Sequence, residues 1–190
     1  VLRDWLLRLV VPHCPLSSIE VDAFEAHWAL VQRWNRKLNL TRILDEQEAA
    51  VRHFGEAAFL ARWLPPGRLR VADVGSGAGF PGIPLAILRP ECVVTLIESH
   101  RRKAVFLREA SRVLSNVRVV AERGEAVADE FDWVVARAVA WHELEEFVFA
   151  LAPSVAFLGG REEIPHERAR VALPWGGGRF LVAVSRETSA

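Results

Sequence analysis

Apolar positions recur at helical spacing in the first third of the chain and in short unbroken runs after it. Behind the capping box Ser17-x-x-Glu20, the residues Val21, Phe24, Trp28, Val31 and Leu38 fall on one helix face, which predicts a long amphipathic helix. Asp45-x-x-Glu48 opens a further helix that carries Val51, Ala58 and Leu60 and stops at Leu64, before Pro65-Pro66-Gly67. Beyond that boundary, strands are predicted at 69–74, 92–98, 117–121, 131–136, 154–158 and 179–185, with helices at 82–89, 100–114 and 141–151. Such alternation predicts an α/β fold, a doubly wound and mostly parallel sheet with helices on both faces. Residues 1–66 form an N-terminal helical extension and 67–190 the core of a single domain, consistent with a chain of 190 residues.

The first predicted strand runs into Asp73-Val74-Gly75-Ser76-Gly77-Ala78-Gly79-Phe80-Pro81-Gly82. Alternating glycines at a strand end let backbone turn sharply and approach a nucleotide-like ligand closely. Gly77-x-Gly79-x-x-Gly82 also satisfies the dinucleotide fingerprint, which by itself is a weak signal. Two features favour S-adenosylmethionine over a nicotinamide or flavin. Asp73, two residues ahead of Gly75, suits the cationic amino group of a methionine moiety better than a pyrophosphate, and the glycines run into Pro81 and Pro84. Glu98, which ends the next apolar run, is placed to accept hydrogen bonds from ribose hydroxyls, a feature common to both cofactor classes. The plainer alternative is a tight turn at the glycines and a helix cap at Glu98.

Composition narrows the setting. Half of the residues are hydrophobic, a quarter are charged, and Lys plus Arg equals Asp plus Glu at 24 each, so RNA contacts must come from local patches. Cys14 and Cys92 have no metal-ligand spacing and form no disulfide framework, so no metal is expected and a reducing cytoplasm is. Arg3, Asp4 and Arg8 interrupt the apolar run Val1 to Val11, which reads as neither signal peptide nor membrane span; the absence of any methionine suggests a trimmed N-terminus. A soluble, cytoplasmic monomer without membrane partners is expected. Basic residues gather in an acid-free stretch with Arg33, Arg36, Lys37 and Arg42, and again at His100-Arg101-Arg102-Lys103. The second group opposes the dipole of the helix it opens, so Arg33, Arg36, Lys37, Arg101, Arg102 and Lys103 are candidates for RNA phosphate contacts, or else solvated helix faces. Trp34 reads as core rather than as a base-stacking platform.

Further residues carry a resemblance. Trp34-Asn35, Asn39-Leu40-Thr41, Arg52-His53, the string Asp73 to Ile87 with Phe80-Pro81-Gly82-Ile83-Pro84, Val94 to Ser99, Arg102-Lys103, Phe106-Leu107, Phe131-Asp132 and Ala136-Arg137-Ala138 closely resemble the ribosomal RNA small subunit methyltransferase G family, also called glucose-inhibited division protein B. The similarity runs from about Trp34 to Ala140. It implies a Rossmann-like class I S-adenosylmethionine-dependent methyltransferase fold. The implied activity is methylation of N7 of one guanine in the 530 loop of 16S ribosomal RNA, with 16S RNA or the small ribosomal subunit as partner. It also implies cofactor contacts from Gly75, Phe80, Gly124-Glu125 and Arg137, which join Asp73, Gly77, Gly79 and Glu98. The chain departs from the family at Phe54-Gly55-Glu56-Ala57, where Ile-Leu-Asp-Ser is usual, and at Gly159-Gly160, where a Lys-Gly is usual.

The chemistry asks little of side chains, because guanine N7 has a free lone pair at neutral pH and the rate must come from positioning. After the fourth strand the chain reads Ala136-Arg137-Ala138-Val139-Ala140, with neither an Asn/Asp-Pro-Pro-aromatic loop for an exocyclic amine nor a cysteine nucleophile for a base carbon. Arg137 is the candidate orienting residue, for a carboxylate or a phosphate; its alternative role is an ion pair with a helix acid such as Glu143. His53 and His142 read as surface or packing histidines. A small-molecule methyltransferase and a non-catalytic cofactor- or RNA-binding relative remain as other readings.

Overall fold

The computed structural model of the chain describes residues 1–160 and 163–186. α1 (Leu2–Trp5) continues through a π-helical turn, Leu6–Val10. α2 (Ser18–Leu38) starts with the expected capping box: Glu20 N–H donates to Ser17 Oγ at 3.3 Å, and Ser17 N–H to Glu20 Oε2 at 2.6 Å. α3 (Glu46–Ala49) has Asp45 as its cap, at 2.8 Å from Glu48 N, and passes through π-helical turns at Ala50–Gly55 into α4 (Glu56–Trp63). The predicted apolar stripe of α2 is buried at Val21, Phe24, Trp28 and Val31, and Phe24 stacks on Phe54 at 4.7 Å. Each such fully enclosed side chain stabilises the packing by about 1.5–3 kcal/mol.

The sheet is made of β1 (Arg70–Val74), β2 (Val93–Ile97), β3 (Val117–Val120), β4 (Trp133–Arg137), β5 (Ser154–Gly159), β6 (Glu167–Ala172) and β7 (Phe180–Ser185). Their order is β3-β2-β1-β4-β5-β7-β6, parallel from β3 to β5, with β7 antiparallel to β5 and β6 antiparallel to β7. Strand order reverses between β1 and β4, which is where an open α/β sheet leaves a crevice at its carboxyl edge. Alternate residues sort to the two faces. Val71, Leu96, Val135 and Leu158 pack with the N-terminal helices, α5 (Gly82–Leu88) and α6 (Arg101–Ala110). Ala72, Ile97, Val134 and Phe157 pack with α7 (Trp141–Leu144) and α8 (Val148–Leu151). Among the described residues no helix is long and apolar enough to cross a membrane.

Three elements differ from the pattern-based expectation. The helix predicted at 141–151 breaks between α7 and α8, and the break lays Phe147 against Gly124, whose missing Cβ would sit 2.5 Å from the Phe147 ring. The helix predicted at 100–114 stops at Ala110, where Ser111 Oγ donates back to the Leu107 carbonyl at 2.7 Å. β6 was not predicted at all, because its sequence ERARVA is charged and half exposed; at a sheet edge such charges block pairing with another chain.

α2 also crosses the glycine loop. His27 is enclosed there with its ring 4.6 Å from that of Phe80, and Nε2 lies 2.9 Å from the Ala78 carbonyl. A carbonyl only accepts, so Nε2 carries the proton; burial pushes the ring's pKa down to about 4 and keeps it neutral.

Two tests follow from this packing. A Cβ at Gly82 would lie 2.3 Å from Leu96 Cδ2 and 2.5 Å from Asp73 Oδ2, so Gly82→Ala should lower stability by about 1–3 kcal/mol in urea unfolding. An unchanged midpoint would show that the loop gives way freely. His27 has a folded pKa of about 4 against 6.5 when unfolded, so the unfolded chain takes up its proton first. Its contribution is intact above pH 6.5 and falls by about 3 kcal/mol as the pH drops to 4. His27→Gln keeps a donor for Ala78 and does not titrate; relative to wild type, the variant should therefore gain that amount between pH 7 and pH 4. A difference that stays constant with pH would mean that His27 charges without cost.

Candidate cofactor and substrate site

The loop after β1 is fixed by its neighbours on the sheet. Gly75 and Ser76 N–H donate to the Ile97 carbonyl at 3.0 and 3.1 Å, which binds the turn to the end of β2. Gly75, Gly77 and Gly79 have φ of +72°, +55° and +85°, a region in which a side chain is strained. Asp73 is fully enclosed beneath the loop, on the Val71 face of β1, and its Oδ2 accepts the Gly82 N–H at 3.0 Å. Its Oδ1 has no partner, and burial pushes the carboxyl up to about 7. Glu98 is 8% exposed, and each of its oxygens accepts a backbone N–H: Oε2 from Gly77 at 2.9 Å, Oε1 from His100 at 2.8 Å. Asp73 thus holds the loop from beneath, with no exposed surface for the ligand role expected of it, and Glu98 holds both the loop and the start of α6.

Beside the loop lies a cleft of about 460 Å³ whose lining includes Val74, Gly75, Ile97, Gly124, Val139 and Phe147. Its charged groups are Glu122, Glu125, Glu143 and Glu146 against Arg123. An excess of carboxylates repels a pyrophosphate and attracts a sulfonium or ammonium group. The apolar walls at Val74, Ile97, Val139 and Phe147 suit an adenine, and the Glu98 carboxylate behind Gly77 suits a ribose. Gly75 fits closely here too, since a Cβ on it would meet Val139 at 2.8 Å. The residues present therefore fit S-adenosylmethionine. Of the expected contacts, Gly75, Gly124 and Glu125 line this cleft, while Phe80 is buried beneath the loop between His27 and His53.

Arg137 faces a second hollow, of about 860 Å³, lined by Asn39, Thr41, Arg42, Arg52, His53, Ala138 and Arg179 among others. It does not pair with Glu143. Its Nη1 donates to the Arg52 carbonyl, its Nη2 to His53 Nδ1 at 2.9 Å, and its guanidinium lies 5.5 Å from the Phe80 ring centre. With Nδ1 accepting, the His53 proton sits on Nε2 and is donated to Thr41 Oγ1 at 3.0 Å. Burial, and next the positive charge of Arg137, hold the His53 pKa well below 6.5. His53 is therefore a neutral buried support for Arg137, stacked on Phe80 at 4.2 Å, and not a surface residue. Burial also lowers the Arg137 pKa to about 10, which leaves it charged at neutral pH. The two hollows meet at β4, where Ala138 lines one and Val139 the other.

The six expected RNA-contacting residues lie on α2 and α6. Arg33 is held by Glu109 at 2.6 Å, and Trp34 packs on Phe106 as a core residue. Arg36 and Lys37 are exposed on the last turn of α2, just before Asn39 at the second hollow; Arg101 and Arg102 are exposed on α6, with Lys103 half-buried. Sequence reasoning passed over Arg42 and Arg52 as site residues and gave no signal for Arg179, which meets the 52–56 segment only through the fold. Gly159 has no room for a side chain, since a Cβ would sit 2.2 Å from the Phe157 ring. Its partner across the sheet is Phe180, next to Arg179, so a cation stands beside that position from the neighbouring strand.

Comparison with known proteins places this arrangement. A model of the rRNA small subunit methyltransferase G family matches residues 20–154. A curated relative of that name from Roseiflexus castenholzii is 38% identical, over 94% of this chain and 82% of its own length; another from Geobacter metallireducens is 34% identical, over 92% and 91%. Among solved structures, an S-adenosylmethionine-dependent methyltransferase from Aquifex aeolicus superposes with a TM-score of 0.56 at 17% identity, over 71% of this chain and 91% of that one. The ribosomal protein L11 methylase from Lactobacillus delbrueckii superposes with 0.59 at 17%, over 77% and 81%. The fold is that of a Rossmann-like class I methyltransferase, the cofactor is S-adenosylmethionine, and the chain belongs to the rRNA small subunit methyltransferase G family.

Proposed function

We propose that this S-adenosylmethionine-dependent methyltransferase of small-subunit ribosomal RNA acts on N7 of one guanine in the 530 loop of 16S RNA. The observation that carries the reading is the junction of an acid-lined cleft and an arginine-lined hollow at Ala138 and Val139. A cationic cofactor and a polyanionic substrate are thereby drawn to opposite sides of one strand end. Residues 1–66 and 67–190 act together as one domain, since the second hollow takes residues from both segments, and that domain is read as a monomer of the cytoplasm.

The bound cofactor supplies an electrophilic methyl group on sulfur. N7 accepts it with its own lone pair, so no residue need remove a proton, and the neutral, fully engaged His53 agrees with that. What the protein contributes is alignment. Glu98 would hold the cofactor's ribose and Gly75 would admit its close approach, while Arg137, locked by Arg52, His53 and Phe80, presents a fixed cation where the two hollows meet.

Incubation of 16S RNA or small subunits with the protein and labelled cofactor should yield 7-methylguanine at a single position, seen by mass spectrometry and by strand cleavage with borohydride and aniline. Label found only on an exocyclic amine, a base carbon or a small metabolite would overturn the assignment, and no turnover at all would favour a binding protein. Glu98→Ala should weaken S-adenosylmethionine by about 1.5–3 kcal/mol in calorimetry, as removal of a charged acceptor does, while the fold persists. Normal affinity in that variant would leave Glu98 as a support of Gly77 and His100 alone.

A further inference from the structure

We propose that Arg42, Arg52 and Arg179 form a subsite for an RNA phosphate on the far side of Arg137 from the cofactor, and that buried Glu56 is its positioning residue. The proposal rests on the reading of the protein as an RNA methyltransferase. Among the described residues, four arginines line the hollow and no acid does. Behind them stands Glu56, 1% exposed. Its two oxygens take Arg179 in a bidentate grip, Nε at 2.9 Å and Nη2 at 2.8 Å, and Arg52 Nε lies 3.1 Å from Oε1. His53 is neutral and supplies no counter-charge. Glu56 thus faces Arg52, Arg137 and Arg179, and buried Asp73 also faces Arg137; with Arg42 the cations still outnumber these acids, and the remaining positive charge calls for an anion from outside.

The geometry of the grip fits that role. A bidentate carboxylate fixes the plane of Arg179, whose remaining N–H groups are left for a second partner, and planar guanidinium groups recognise phosphate oxygens in the same way. Arg42 stands exposed at the rim with no hydrogen bond or ion pair among the described residues. The segment that carries Arg179 is itself tied down: Trp175 Nε1 donates to the Leu9 carbonyl at 2.7 Å, and the Trp175 ring fills the place of a Cβ at Gly55, 2.9 Å away. Glu56 and Arg179 therefore meet at a rigid junction of helix and hairpin, with the hollow in front of them.

Binding of a fluorescein-labelled single-stranded RNA with the 530-loop sequence, measured by anisotropy over a salt series, tests the proposal without need of turnover. Arg42→Gln and Arg179→Gln should each weaken binding about tenfold and reduce the slope of log affinity against log salt by about 0.7, with S-adenosylmethionine affinity unchanged. Millimolar pyrophosphate should compete with the RNA on wild type and lose that effect on Arg179→Gln, which separates a phosphate subsite from general attraction. Glu56→Gln gives the sharpest contrast. It makes the hollow more positive, so a merely electrostatic role predicts tighter RNA binding, whereas a positioning role predicts weaker binding, partly restored in Glu56→Asp. Unchanged slopes in Arg42→Gln and Arg179→Gln, or tighter binding by Glu56→Gln, overturn the proposal. If Glu56→Gln fails to fold, exposed Arg42 still decides. Wild type that binds RNA through these arginines yet leaves N7 unmethylated would refute the proposed reaction and spare the subsite; N7 methylation with slopes unmoved would do the reverse.

Discussion

Two carboxylates on neighbouring strands, Asp73 and Glu98, accept the backbone N–H groups of Gly82 and Gly77, and the rest of the site depends on those bonds. A loop with glycines at three positive-φ positions has few side chains of its own to hold it. Without the two acids it would sample many conformations, and ordering it would be charged against cofactor affinity. The acids are buried where an unpaired charge is costly, so each N–H they accept also supports them. Loop order and acid burial are one interaction seen from its two sides.

The same logic runs outward from the loop. Phe80 lies in the path of the chain between Gly79 and Pro81, and on it rest His27 from α2, His53 from the helix beyond, and Arg137 from β4. One aromatic ring thereby couples the glycine loop to the N-terminal helices and to the strand that separates the two hollows. The N-terminal extension is part of the site for that reason: it supplies Thr41, Arg42, Arg52 and His53 to a hollow whose other wall comes from the sheet.

Much of this was legible in the sequence where a local rule decides the structure. The capping box at Ser17, the boundary at Leu64 and the strand–glycine–helix turn at Asp73 depend on residues within a few positions of each other. Family resemblance points to Gly75, Gly124 and Glu125, the first also through the alternating glycines, and all three line one cleft. What was not legible depends on distance along the chain. Arg179 and Glu56 are separated by 123 positions, and no spacing rule joins them. β6 was missed because its polar sequence suits an edge, where apolar alternation is not required. Arg33 reads as a candidate phosphate contact in the sequence, and its pairing with Glu109 is hidden there because that partner lies on another helix.

The tie from Trp175 to Leu9 spans 166 positions and anchors the β6–β7 hairpin, which carries Arg179, to the N-terminal helices. The cofactor cleft draws on residues 74–147, all of which precede that hairpin. During synthesis from the N-terminus, the residues of the cleft emerge first, while Arg42 and Arg52 wait for Arg179. Order of emergence therefore delivers the residues that face the small cofactor before the cluster of positive charge is complete. An unfinished chain on a ribosome, surrounded by the very class of polymer that such charge attracts, lacks the completed arginine cluster until the segment leading into β7 is in place.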